Sequence, residues 1–208
     1  MLTGRTLVAG VGNVFSGDDG FGPEVARELA RRPAPDGVEI GDFGTGGVHL
    51  VYELLDGCDL FVLVDAAQRG REPGTVTVVE VDPGETEAEA PAMDGHGLTP
   101  EQIFAMLAAL GGRPGRSLLV ACEPAELGPG MELSDPVRAA VPYAVRAVED
   151  IIRFGEGTDD AAHDHHGGSG GGTGRRDRVL PAGREALRGT QPHVAARHDP
   201  GSFLHRVP

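Results

Sequence analysis

Apolar residues along the first three quarters of the chain fall into two alternating rhythms, one of strands and one of helices. Thr6–Gly10 is a short apolar run closed by glycines and predicts the opening strand. Phe21, Val25 and Leu29 then recur at helical spacing, with Pro23 tolerable in the first turn. Val38–Phe43 predicts a second strand and Val48–Leu55 a second helix. The unbroken apolar run Leu60–Val64 suits a central strand covered on both faces. Thr75–Val81 alternates and is rich in β-branched residues, as an edge or antiparallel strand would be. Thr99-Pro100-Glu101-Gln102 opens a third helix, with Thr99 as cap, Pro100 in the first helical position and Gln102 completing a capping box. Ser117–Ala121 predicts a further strand. Ser134 is placed to cap a last helix, on which Val137, Val141, Val145, Val148 and Ile152 form one apolar stripe and Pro142 should introduce a kink. Strands alternating with helices in this way predict an α/β fold around a largely parallel sheet.

After Phe154 the rhythm stops. Residues 155–208 are rich in Gly, Arg, His and Asp, carry the cluster His163-Asp164-His165-His166, and hold too few apolar positions to offset the entropy of ordering. The chain therefore divides into a folded domain, 1–154, and a tail, 155–208, expected to be disordered. The tail histidines could hold a transition metal loosely, and an inert extension is the plainer expectation.

Charge sharpens the division. The first 154 residues carry 11 Arg against 25 Asp plus Glu, whereas the tail carries 7 of each. An acidic core argues against nucleic acid or an anionic membrane as partner, both of which call for cationic surfaces. No lysine occurs, so Schiff-base and P-loop lysine chemistry are excluded. Cys58 and Cys122 lack the spacing of a redox or metal motif, and no apolar stretch approaches the ~20 residues of a membrane span. With no signal peptide evident at the N-terminus, a cytoplasmic protein is expected.

Candidate chemistry gathers where strands end. The first strand closes in Gly10-Val11-Gly12-Asn13 and leads to Ser16-Gly17-Asp18-Asp19-Gly20-Phe21-Gly22. The central strand ends at Asp65, and His96 stands in a Gly-flanked loop before the capped helix. If the first and third strands are parallel neighbours, Asp19 and Asp65 share the carboxyl edge, where open α/β sheets bind ligands. Two carboxylates and an imidazole suit a borderline divalent cation with open positions. Each also has a plain structural reading: Asp18 or Asp19 as a helix cap, Asp65 as a turn former, His96 as a surface histidine. A dinucleotide fingerprint fails because Phe15 occupies its third glycine position, and neither a Walker loop, a serine-nucleophile elbow nor a zincin motif is present.

These residues resemble a known family. Gly10-Val11-Gly12-Asn13 with Asp18-Asp19-Gly20 and Gly22 is similar to the opening signature of the hydrogenase maturation endopeptidases. The similarity continues through Gly44-Thr45-Gly46-Gly47, Leu63-Val64-Asp65-Ala66, His96-Gly97-Leu98, Ala121-Cys122-Glu123-Pro124 and the helix from Leu133-Ser134. The resemblance implies a three-layer α/β/α sandwich around a twisted, mainly parallel five-stranded sheet. It implies a nickel-contacting trio, carried onto Asp19, Asp65 and His96, with Asp18 as a rival for the first position. Catalytic candidates are the same three residues, and the glycine loop Gly44, Thr45, Gly46 and Gly47 is expected to admit an extended peptide backbone. The implied substrate is the precursor of a nickel–iron hydrogenase large subunit, cut beyond its last cysteine ligand pair once nickel is in place. Nickel would come with the substrate and not be permanently bound, and the enzyme would act as a monomer. Two other readings stay open: a nickel-binding maturation chaperone that cuts nothing, and a non-catalytic module whose acidic face docks a basic peptide.

Overall fold

The computed structural model describes residues 4–82, 99–154 and the backbone of 177–180. Its strands are β1 (Thr6–Val11), β2 (Val38–Gly44), β3 (Leu60–Ala66), β4 (Val76–Val81), β5 (Arg116–Cys122) and β6 (Asp177–Leu180). Its helices are α1 (Phe21–Ala30), α2 (Gly47–Leu55), α3 (Pro100–Ala109) and α4 (Asp135–Phe154), with a single 3-10 turn at Asp18–Gly20 ahead of α1. The sheet runs β2-β1-β3-β5-β4-β6. β1, β2, β3 and β5 are parallel, and β4 is antiparallel to both its neighbours.

Alternation along the central strands sorts side chains between two apolar layers. Val8, Val62 and Val120 point to the layer filled by α1 and α4, and Ala9, Phe61 and Leu119 to the layer filled by α2 and α3. Burial on both faces is why β3 reads as an unbroken apolar run: Leu60 through Val64 are all buried. The α2–α3 layer includes an edge-to-face contact of Phe61 with Phe104, ring centroids 5.9 Å apart. At about 1.5–3 kcal/mol per fully buried large apolar side chain, these two layers dominate the stabilisation.

The expected α/β/α sandwich and its mainly parallel sheet are observed. Three details differ. β6 comes from the segment expected to be disordered, so at least these four residues of the tail are strand, pairing with β4 from Val76↔Leu180 to Val79↔Asp177. β4 is antiparallel as its alternation suggests, but β6 covers its outer side. At the start of the last helix, an element that includes Pro142, the hydroxyl of Ser134 turns to Asp18, while its carbonyl accepts the first helical bond from Arg138. The other tail residues, including the His163–His166 cluster, lie outside the described residues, as does His96.

Gly10 of β1 and Gly22 of α1 let the helix sit directly on the sheet, a Cβ on Gly10 falling 2.2 Å from the Gly22 carbonyl oxygen. A Cβ on Gly22 would lie 2.2 Å from the Val11 carbonyl oxygen and 2.4 Å from that of Val64. Both neighbours are backbone and cannot move aside. Gly22 therefore supplies the close helix–strand approach for which Phe15 is unsuited. Gly22→Ala should destabilise the fold by about 3 kcal/mol, read as a lowered urea midpoint, because the added methyl forces α1 off β1 and β3.

Candidate active site

The loop after β1 is built to return a carboxylate to the strand it leaves. Gly12 adopts φ +132°, and a Cβ there would lie 1.9 Å from the Asp19 carbonyl oxygen, so only glycine fits. The Asn13 amide donates to Asp19 Oδ2 at 2.7 Å, Asn13 Oδ1 accepts from the Phe15 amide at 3.0 Å, and Ser16 N–H donates to the Asn13 carbonyl at 2.9 Å. This Asx-type turn reverses the chain within a few residues.

The two adjacent aspartates then part ways. Asp18 is fully buried and faces the loop between β5 and α4. Its Oδ2 accepts from the amides of Ala125 (2.8 Å) and Glu126 (2.9 Å) and from the Ser134 hydroxyl (2.8 Å), and its Oδ1 from the Ser134 amide (2.7 Å). Burial alone would raise its pKa, but these donors outweigh burial and hold it below the usual aspartate range. Asp18 is thus structural, and Asp19 is the carboxylate left to the site. Neither caps α1, whose N-cap is Gly20.

Asp19 and Asp65 line one cleft of about 200 Å³ at the carboxyl edge of the sheet. Gly44, Thr45 and Gly47, from the turn between β2 and α2, form one wall, and Thr99 and Pro100, at the start of α3, another. Gly46 is the N-cap of α2, with no side chain capping it, so the positive end of that helix adjoins the acidic pair. The turn is positioned by Asp42, which accepts from the Gly44 amide at 3.1 Å and pairs with Arg27 of α1 at 3.1 Å. The Asp65 carboxyl is pushed up to about 7, first by burial and then by the negative charge of Asp19. Glu101 adds a weaker push, and the Ala66 amide opposes it. Two carboxylates crowded in a poorly solvated cleft favour either a held proton or a bound cation. Among the described residues no set of three or more metal-binding side chains is assembled.

The structure therefore joins Asp19, Asp65, Gly44, Thr45 and Gly47 in one place, separates Asp18 from them, and leaves His96 undescribed. Sequence reasoning assigned no site role to Asn13, Thr99 or Pro100. The capping box was legible and is present, the Gln102 amide donating to Thr99 Oγ1 at 3.3 Å and the Thr99 amide to Gln102 Oε1 at 2.8 Å. What the text does not reveal is that this helix starts at the carboxyl edge. β4 runs antiparallel and ends beside Ser117, at the far edge.

Comparison with known proteins bears on the family and the fold. The sequence profile of the family described as hydrogenase maturation protease matches residues 23–151. The hydrogenase expression/formation protein HupD of Rhizobium leguminosarum bv. viciae is 32% identical over 151 residues, 72% of this chain and 74% of that protein. HoxM of Azotobacter vinelandii is 30% identical over 214 aligned residues, 100% of this chain and 98% of that one, so the alignment runs on past Phe154 into the tail. Among solved structures, the hydrogenase maturating endopeptidase HybD from E. coli superposes with a TM-score of 0.60 at 28% identity, covering 73% of this chain and 93% of that one. A hydrogenase 2 maturation peptidase from a Thaumarchaeota archaeon gives 0.56 at 33% identity, covering 73% and 98%.

Proposed function

This chain belongs to the hydrogenase maturation protease family, and from that premise we propose that its cleft reads nickel on a nickel–iron hydrogenase large-subunit precursor and licenses removal of the precursor's C-terminal extension. The family is one of peptidases, so peptide hydrolysis is the activity, and the alternative of a nickel carrier that cuts nothing loses its ground. The observation that carries the proposal is the convergence of Asp19 and Asp65 in a cleft with a glycine-walled side.

Nickel carried in by the precursor would supply Lewis acidity beside the scissile peptide. The chain's own residues do the rest. Asp19, anchored through Oδ2 to the Asn13 amide, presents its second oxygen at a fixed position. Asp65 can hold or release a proton near neutrality, the property needed to take a proton from an attacking water. The wall formed by Gly44 and Gly47 lets an extended main chain approach without meeting a Cβ. His96 is assigned as the third nickel contact, because two carboxylates alone are a hard donor set and imidazole suits nickel better.

The test compares nickel-loaded and nickel-free precursor, each incubated with the wild-type protein and with His96→Ala. The wild type should shorten only the loaded form, and His96→Ala should process it at least about a hundredfold more slowly. Equal processing of both precursor forms by the wild type would overturn the nickel-reading step.

A further inference from the structure

Beside the cleft stands a ridge of large apolar side chains held in solvent. Phe15 is 64% exposed, Leu127 47% and Met131 75%. They lie on two loops stitched together: Gly130 N–H donates to the Phe15 carbonyl, Gly17 N–H donates to the Gly130 carbonyl, and Gly17 and Leu127 form an isolated antiparallel bridge. Asp18 ties the same two loops from beneath through Ala125, Glu126 and Ser134. Single exposed apolar residues are ordinary, but three on a backbone fixed this firmly form an apolar surface kept open.

Its position says what covers it. Gly12 and Asp19, which line the cleft, lie at the two ends of the loop that carries Phe15. Asp19 accepts from the amide of Asn13, and Asn13 in turn holds the amide of Phe15. The ridge is thus carried by a loop whose two ends line the cleft, so a protein whose terminus enters the cleft would bring its folded body to the ridge's side of the molecule. Glu126 and Glu132 flank the apolar groups, Glu132 with its side chain 89% exposed though paired with Arg138 at 3.5 Å, on a chain of net charge −14.

We propose that the ridge of Phe15, Leu127 and Met131 is the docking surface for the folded body of the large-subunit precursor, which meets it with an apolar patch edged by basic side chains. The surface is separate from the cleft that receives the extension, and it rests on the functional reading above. Docking away from the scissile bond gives selectivity for the intact precursor over loose peptide ends, and its loss raises KM with little effect on kcat.

The experiment uses the full chain and its double variant Phe15→Ser/Met131→Ser, with nickel-loaded precursor. The Kd for precursor, the cleavage rate at saturation, the melting temperature and the mass in solution are measured for each. The Kd should rise at least about tenfold, while the saturated rate stays within about twofold and the melting temperature is unchanged. Phe15→Leu should keep most of the affinity, which separates lost apolar contact from a disturbed loop. A double variant that folds and binds like the wild type overturns the ridge and leaves the proteolytic reading standing. So does a wild-type dimer that the variant turns into monomer at unchanged precursor affinity, which would assign the ridge to self-association. Conversely, a wild-type protein that binds through the ridge but never cuts would overturn the proteolytic reading and support the docking surface.

Discussion

Asp65→Asn is expected to stop precursor processing while making the metal-free protein more resistant to heat above about pH 7. In the folded, metal-free chain this carboxyl keeps its proton up to about 7, whereas in the unfolded chain it releases it near 3.9. A raised acid pKa means that the group's contribution to stability is complete below about pH 4 and is lost as pH rises through the folded value. Asparagine has the shape of the protonated acid and no charge to lose. The gap in melting temperature between variant and wild type should therefore be widest at pH 8 and close towards pH 4. Processing should fall by about a hundredfold to ten-thousandfold, since the variant has neither a proton acceptor nor an anionic ligand at that point. Thermal melts across this range, paired with a precursor cleavage assay, check both halves. Parallel pH profiles for the two proteins would show that Asp65 is not held in the crowded state described above.

The second large effect is structural. Asp18→Ala should cost about 4 kcal/mol or more, because it strands the amides of Ala125, Glu126 and Ser134 and the Ser134 hydroxyl in a buried place. Here the pH dependence has the opposite sign. The folded pKa is depressed, so the contribution is present above the ordinary aspartate value near 3.9 and lost as pH falls below it. Urea midpoints at pH 7 should separate the proteins widely, and the difference should shrink in acid. Activity falls as well, by an indirect route: with the Asp18 carboxylate gone, the loop that presents Asp19 loses its side-chain ties to the loop before α4 and keeps only the backbone bonds at Phe15, Gly17 and residue 18. Normal cleavage by a folded Asp18→Ala protein would refute that coupling.

Much of this was legible in the text of the chain, for reasons that can be traced. The central strands announced themselves because burial on both faces leaves no room for polar residues between Leu60 and Val64. α3 was readable because its capping box is chemistry between near neighbours. Asp19 and Asp65 could be brought to one edge because adjacent parallel strands end at the same side. The choice between Asp18 and Asp19 was not legible. It depends on which residue meets donors at Ala125, Glu126 and Ser134, more than a hundred positions away, and no local pattern encodes that. The close seat of α1 was half visible: the glycines stood in the signature, but Gly22 as the residue at the crossing emerges only from the packing. β6 was invisible because a four-residue strand in a Gly- and Arg-rich setting carries no periodicity, and its reason to form lies in the partner strand.

That short strand has a consequence for how the molecule behaves in a crowd. β4 presents Val76 and Val79 to the core, and its outer row of amides and carbonyls would be an open template for another chain. β6 takes up that row from Val76 to Val79 and moves the border of the sheet outward to a segment of four residues that begins Asp177-Arg178. A border so brief offers another chain little to pair with, and it is supplied by a stretch whose composition suggests no structural duty at all.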